Sequence, residues 1–270
     1  MAFKLGDLVI DRIISGVGED HEGKLLYNLT NIQEGSIEIT ADSVDATDGT
    51  GAIIKTFYRA KQGTLTLTNA TISLPILEQT SGSKADKAEE NPFDMPHIIT
   101  TATASGIKLV GISDDGSSNN IRVYAVNTNG TLGAEYTSSM YNVTSKTGDM
   151  DCSTMTITPQ GPQDDKDVMW LIKYDRNVSE NAIRIYNRSD AFPKSHKLTL
   201  KVLVCDPCET DTVIGAYVVL PNFQPSPEVS FTFSTDTTID FTGKLATSYC
   251  GTQKVLYEIF VAQDDVEEAA

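Results

Sequence analysis

Residues 36–69 read SIEITADSVDATDGTGAIIKTFYRAKQGTLTLTN. At one end Ile37 and Ile39 alternate with Glu38 and Thr40; at the other Leu65 and Leu67 alternate with Thr64, Thr66 and Thr68. A period of two sends successive side chains to opposite faces of a strand, so both ends predict half-buried strands with one wet face. Between them Asp48-Gly49-Thr50-Gly51 predicts a tight turn, and residues 52–59 (AIIKTFYR) predict a long strand. The stretch is a β-meander with long arms. Its strands are too long, and too exposed on one face, for a compact hairpin.

The flanks are built the same way. Leu8-Val9-Ile10 is a short apolar start, residues 15–23 are a Gly- and acid-rich turn, and Lys24-Leu25-Leu26-Tyr27 follows. Residues 73–79 predict a short helix, with Ser73 as its cap, Pro75 in its first turn and Gly82 just past its end. Residues 80–91 (TSGSKADKAEEN) are the clearest loop. Residues 107–110 and 121–124 predict strands flanking the turn-rich residues 114–120, and Asn127-Thr128-Asn129-Gly130 is a second hairpin signal. Residues 168–174, 198–204 and 213–220 are denser apolar runs that suit central strands covered on both sides. Residues 229–233 alternate again, residues 254–261 supply a last strand, and an acidic tail begins at Asp264.

With turn signals frequent and amphipathic helices scarce, the expected class is mainly β: a sandwich- or barrel-like fold with long hairpin arms and one short helix. A single domain is expected over residues 1–262, with a hairpin insertion or subdomain at about 104–150 and a flexible tail at 263–270.

Composition narrows the function. A chain that is 40% hydrophobic and 21% charged folds rather than staying disordered. No apolar run approaches the roughly 20 residues of a spanning helix, so no membrane role is expected. Asp7 and Asp11 interrupt the apolar start, so no secretory signal is read, and the N-x-S/T matches, Asn28 among them, are compositional. A net charge of −16 argues against a surface that holds nucleic acid, which needs basic groups to displace counterions. It suits a surface that must not retain DNA.

Catalytic chemistry is hard to find. Residues 18–25 carry a G-x-x-x-x-G-K frame, but Leu25 replaces the hydroxyl a phosphate loop needs, and Glu19, Asp20 and Glu22 would repel a triphosphate. His21, His97 and His196 fall in no catalytic or metal motif. Asp42, Asp45 and Asp48 lack the spacing of a calcium loop. Trp170 sits in an apolar run and reads as core. Cys205 and Cys208 have C-x-x-C spacing, but Cys152 and Cys250 lie far off, so thiols at strand ends are expected rather than a metal site. No cofactor, no metal and no enzymatic activity are expected.

The order of features from residue 23 onward resembles the major tail tube proteins of long-tailed bacteriophages. Gly23-Lys24-Leu25-Leu26-Tyr27-Asn28-Leu29 leads into the strand at 36–41 and the acidic turn at 45–51. Then come Ile53-Ile54-Lys55-Thr56-Phe57-Tyr58-Arg59, Lys61, the Thr-rich strand at 63–70 and the helix near Leu74. Ile185-Tyr186-Asn187, Asp190-Ala191-Phe192-Pro193, residues 198–206 and residues 218–221 are similar to the family's second half. The resemblance implies a virion protein assembled in the host cytoplasm into stacked rings, usually hexameric, whose inner strands close into one barrel. The implied partners are further copies of the chain, tape-measure and terminator proteins of the tail, and DNA that passes through the lumen without specific binding.

Within that frame Asp45, Asp48, Gly49, Gly51, Ile53, Phe57 and Tyr58 are the candidates for ring or stacking contacts. Glu38, Asp42 and Asp45 are the candidates for the lumen wall. Two alternatives compete: a capsid decoration or head-fibre protein, and a carbohydrate-binding or adhesion module. The last would use Tyr136, Tyr141 and Asn142, and an aromatic content of 7% with no secretion signal weighs against it.

The thiol reading has a direct check. Purified protein should contain no zinc by elemental analysis, and Cys205 and Cys208 should titrate as free thiols; about one zinc per chain, lost together with folding on chelation, would overturn it.

Overall fold

A computed structural model of the chain describes residues 7–71, 73–102, 106–112, 120–127, 129–138, 141–147, 154–159, 169–207, 209–230, 238–247 and 254–267. The chain divides into two compact units, Met1–Lys84 with Ile185–Ala270, and Ala85–Arg184. Residues 104–150 lie inside the second. Every described strand pairing is antiparallel, and the class is mainly β.

The first unit opens with β1 (Val9–Glu19), β2 (Leu25–Leu29), β3 (Ile32–Thr47), β4 (Ile53–Asn69) and α1 (Leu74–Ser81). The second unit supplies β5 (Asp86–Lys87), β6 (Phe93–Thr101), β7 (Ile107–Val110), β8 (Arg122–Val126), β9 (Leu132–Tyr136), β10 (Tyr141–Thr147), β11 (Thr154–Pro159), β12 (Met169–Val178) and β13 (Ile183–Arg184). The chain then returns to the first unit with β14 (His196–Asp206), β15 (Glu209–Pro225), β16 (Ile239–Leu245) and β17 (Glu258–Glu267).

In the first unit the strands run β2-β1-β14-β15-β16-β4-β3, and β17 also pairs with β15. Two of the three dense apolar runs fall on the central pair, where Leu198, Leu200, Val202 and Val204 face a core shared with Ala216, Val218 and Leu220; the third, at 168–174, falls on β12 of the second unit. Glycine lets the sheet curl. A Cβ at Gly35 of β3 would lie 2.5 Å from Ile13 Cδ1 of β1, so the two ends of the sheet pack on each other without hydrogen bonds between them. A Cβ at Gly18 would lie 2.4 Å from the Tyr27 ring. This corrects the sequence reading of residues 15–23 as a turn. Gly16 and Gly18 are strand glycines that make room for neighbours, and the turn is confined to residues 20–24.

Tyr27, Phe223 and Phe241 close one end of this core around His196, which is buried. The Tyr27 hydroxyl donates to His196 Nε2 at 2.6 Å, and His196 Nδ1 faces the Lys194 carbonyl at 3.3 Å. That carbonyl can only accept, so Nδ1 carries a proton, and the neutral ring, which burial favours, leaves Nε2 to accept from the tyrosine. Burial raises the tyrosine pKa and lowers that of the histidine.

In the second unit β6-β12-β8-β9 form one sheet and β10-β11-β7 another, with a short β13–β5 pair. Ile107, Leu109, Val123, Ile157, Trp170, Ile172 and Tyr174 make a common core, which bears out Trp170 as a core residue. The hairpin at Asn127–Gly130 is also present, with Val126 opposite Leu132. Residues 107–110 and 121–124, which flank one turn in the sequence, belong to different sheets.

Other differences are local. Ser73 precedes the helix but makes no side-chain capping bond, while Gly82 ends it in the left-handed region at φ 65°. The loop expected at 80–91 contains the last helical turn and Asp86–Lys87 of β5. Val229 and Ser230 are not strand, and residues 231–233 lie outside the described residues. Residues 264–267, read as tail, continue β17, with Val266 and Glu267 opposite Ile214 and Val213.

The buried histidine makes stability depend on pH. Its folded-state pKa is lowered, so below about 6.5 the unfolded chain takes up a proton that the folded chain resists. Stability should be flat just above neutrality and fall as pH drops through that value, by at most about 1.4 kcal/mol per pH unit from this residue. Urea unfolding at stepped pH checks it: His196→Gln should flatten the slope, and an unchanged slope in that variant would remove His196 as its cause.

Candidate assembly interface

β3 and β4 pair continuously from Ile32 opposite Asn69 to Thr47 opposite Ile53. Their lower part belongs to the core: Leu65 and Leu67 are buried, Ile37 packs against them, and β16 covers the other edge of β4 from Gly63 to Asn69. Beyond Gly63 the support stops. Among the described residues no strand pairs with the outer edge of β4 from Ile53 to Gln62, and none with the outer edge of β3. From residue 40 to residue 62 every residue is exposed except the half-buried Thr56. At strand rise this two-stranded arm is about 25 Å long.

Local contacts hold the arm in shape. Asp48 Oδ1 accepts the Thr50 amide at 2.8 Å, the Ala52 amide at 2.9 Å and the Thr50 hydroxyl at 2.6 Å. Gly51, at φ 86°, supplies the left-handed residue that the turn requires. These donors, the Thr50 hydroxyl first, hold the Asp48 carboxyl below its ordinary value. Lower down, the Thr56 hydroxyl donates to Asp45 at 2.6 Å, and Lys55 Nζ lies 5.1 Å above the Phe57 ring. Ala60, at φ 46°, is an extra residue on β4 between the pairs Ala41–Lys61 and Asp42–Arg59, and Ile54 is another nearer the tip. Such bulges bend and twist a ribbon.

Alternation along β3 sorts the arm's side chains. Glu38, Asp42 and Val44 share one face with their partners Thr64, Arg59 and Phe57. Asp45 falls on the other face, with Ser43, Tyr58 and Thr56. The extra residues sit on β4 and leave the parity of β3 intact, so the three lumen candidates do not share a face. Tyr58 is 75% exposed, Ile54 71% and Ile53 62%, with Phe57 and Val44 exposed as well. Exposed apolar side chains are thus gathered on this ribbon.

The ring and stacking candidates thus divide between roles. Asp48, Gly49 and Gly51 build the turn, Asp45 ties the strands together, and Ile53, Phe57 and Tyr58 offer apolar surface. Val44, Ile54, Arg59 and Lys61 are part of the same surface and were not singled out in the sequence. For Arg59 and Lys61 the signal available was the segregation of charge between the two strands.

The other motifs resolve structurally. In the G-x-x-x-x-G-K segment Gly18 lies in a strand, and the Asp20 carboxylate itself accepts the Glu22 and Lys24 amides that would have faced a phosphate. Tyr136 packs edge-on against Trp170 at 4.9 Å, while the side chains of Tyr141 and Asn142 lie outside the described residues. Cys205 is a free thiol of β14; Cys152, Cys208 and Cys250 lie outside the described residues. Among the described residues no cluster of potential ligands could hold a metal. Among the described residues no helix is long and apolar enough to cross a membrane.

The model of the YomU/Tube protein family matches residues 15–254. The chain belongs to the YomU/Tube family. This bears out the resemblance to tail tube proteins and makes the chain a phage tube structural protein. Comparison with curated proteins finds no match. The YomU/Tube match takes in the whole arm and runs through the second unit as well.

If Asp48 holds the tip, Asp48→Ala should loosen the arm and leave the core intact. Trypsin should then cut after Lys55, Arg59 or Lys61 several-fold faster, while the thermal transition of the core stays where it was. Unchanged cleavage would deny the turn that role.

Proposed function

We propose that this chain self-assembles into stacked rings that form a phage tail tube, the conduit for DNA during ejection, and that the β3–β4 arm is laid by each copy against its neighbours. The single observation behind this reading is a ribbon exposed from residue 40 to residue 62, with unpaired edges and apolar side chains. A two-stranded ribbon alone is marginal in water, and two open edges invite further strands. Identical copies arranged around an axis cover both edges at once.

Membership of the YomU/Tube family supports the tube, and the resemblance supplies the rest: usually six copies per ring, contacts with tape-measure and terminator proteins, a place in the virion tail and assembly in the host cytoplasm. The role is structural rather than catalytic. Glu38 and Asp42, on the face they share, are proposed for the inner wall. Arg59 stands on that face too, so the arm gives the wall mixed charge, while the net charge of −16 per chain disfavours retention of DNA by the assembly as a whole.

Negative-stain microscopy tests the proposal. Purified protein should form hollow rings or tubes, and deletion of residues 45–51 should leave a folded monomer that no longer polymerises. Featureless monomers from the intact chain would contradict tube formation; normal tubes from the deletion would contradict the role of the arm.

A further inference from the structure

The two strands of the arm carry opposite charge. β3 (IQEGSIEITADSVDAT) has Glu34, Glu38, Asp42 and Asp45 and no basic residue. β4 (IIKTFYRAKQGTLTLTN) has Lys55, Arg59 and Lys61 and no acidic residue. Each strand also forms one free edge of the ribbon, so the ribbon has an acidic edge and a basic edge. Asp42 and Arg59 stand opposite each other in register, yet among the described residues neither they nor Glu38 and Lys61 make an ion pair or side-chain hydrogen bond within the chain.

Resting on the ring reading above, we infer that these edges are a charge code for assembly: the acidic β3 edge of one copy docks on the basic β4 edge of a second copy, in one direction around the ring. Identical copies set side by side in one orientation bring β4 of one next to β3 of the next. Those strands run antiparallel, as they do inside the hairpin, so backbone bonding can continue across the joint. Cross-strand neighbours on a shared face then have opposite charge: Glu38 and Asp42 meet Arg59 or Lys55, and Asp45 meets Lys61 on the other face.

The alternative geometry is excluded by the same charges. A two-fold contact between arms would put β3 against β3 or β4 against β4, acid on acid or base on base, and such like-charge contacts are penalised strongly. The code therefore selects a head-to-tail contact, which closes into a ring, over a symmetric dimer. It follows that a lumen wall built from this face would be charge-balanced at the arm, acids being flanked by bases from both sides.

Charge-reversal complementation tests the inference. One variant carries Glu38→Lys with Asp42→Lys, a second carries Lys55→Glu with Arg59→Glu, which lie on the same face as Glu38 and Asp42, and a third carries all four changes, Lys61 being kept as the partner of Asp45. Asp45 is left alone because it holds Thr56. Particle formation is followed by sedimentation and microscopy at low salt, where screening is weak. Each two-site variant alone should need about ten-fold more protein to form particles than the unmodified chain. An equimolar mixture of the two should recover, because alternating copies restore opposite charge at every joint.

The four-site exchange keeps opposite charges facing each other inside the arm, so it carries the test should a two-site variant fail to fold. It should assemble by itself and poison assembly of the unmodified chain. Two-site variants that assemble normally alone, a mixture no better than its parts, or a four-site exchange that co-assembles freely with the unmodified chain would overturn the charge code and leave the ring reading standing. An unmodified chain that forms no particles would overturn both.

Discussion

Two strands leave the hydrophobic core at Gly63 and continue as a ribbon with no described strand on either edge, and the proposed assembly rests on that constraint. Inside the core β4 is flanked by β3 and β16, and its alternate side chains, Leu65 and Leu67 among them, are buried. Outside it, every second residue turns its backbone N–H and C=O toward water along both edges. A folded protein usually shortens, covers or heavily charges such edges. Here they are long, they carry charges of opposite sign, and apolar side chains lie between the charges. That combination suits an element completed by another copy of the same chain.

The rest of the first unit holds the ribbon at a fixed angle. β4 is anchored by Leu65 and Leu67 and by β16, while β3 is anchored by Ile37 and by Gly35 packed on Ile13. The core beneath them is tight enough that Gly16 and Gly18 cannot carry a side chain without displacing Leu200 or Tyr27. A rigid base would matter for the proposed ring, because an angular error at each joint would be multiplied around it. The buried Tyr27–His196 bond belongs to this base and has no access to a substrate.

Much of this was legible in the sequence because alternation and turn chemistry are local. Ile37, Leu65 and Leu67 marked the buried part of the hairpin, although Ile39, of the same parity as Ile37, is exposed, and Asp48-Gly49-Thr50-Gly51 marked its tip. Residues 15–23 misled for a physical reason: glycines that give room to Tyr27 and Leu200 look, without their neighbours, like glycines that make a turn. Parity was readable too. Glu38 and Asp42 share it and Asp45 does not, and the bulge at Ala60 leaves this unaltered because it falls on the other strand. The pairing of β15 with β14, β16 and β17 along different parts of its length was not readable, since partner choice depends on contacts distant in sequence.

The central claim is that the arm is open in the single chain and covered in the assembly. Hydrogen exchange of the backbone amides of residues 53–62 measures this directly, compared between dissociated chains and assembled particles. The account predicts that the outward-facing amides exchange within seconds to minutes in the free chain and become strongly protected in particles, while amides of β14 and β15 are protected in both. Equal, fast exchange of residues 53–62 in both states would show that the arm is not what joins one copy to the next.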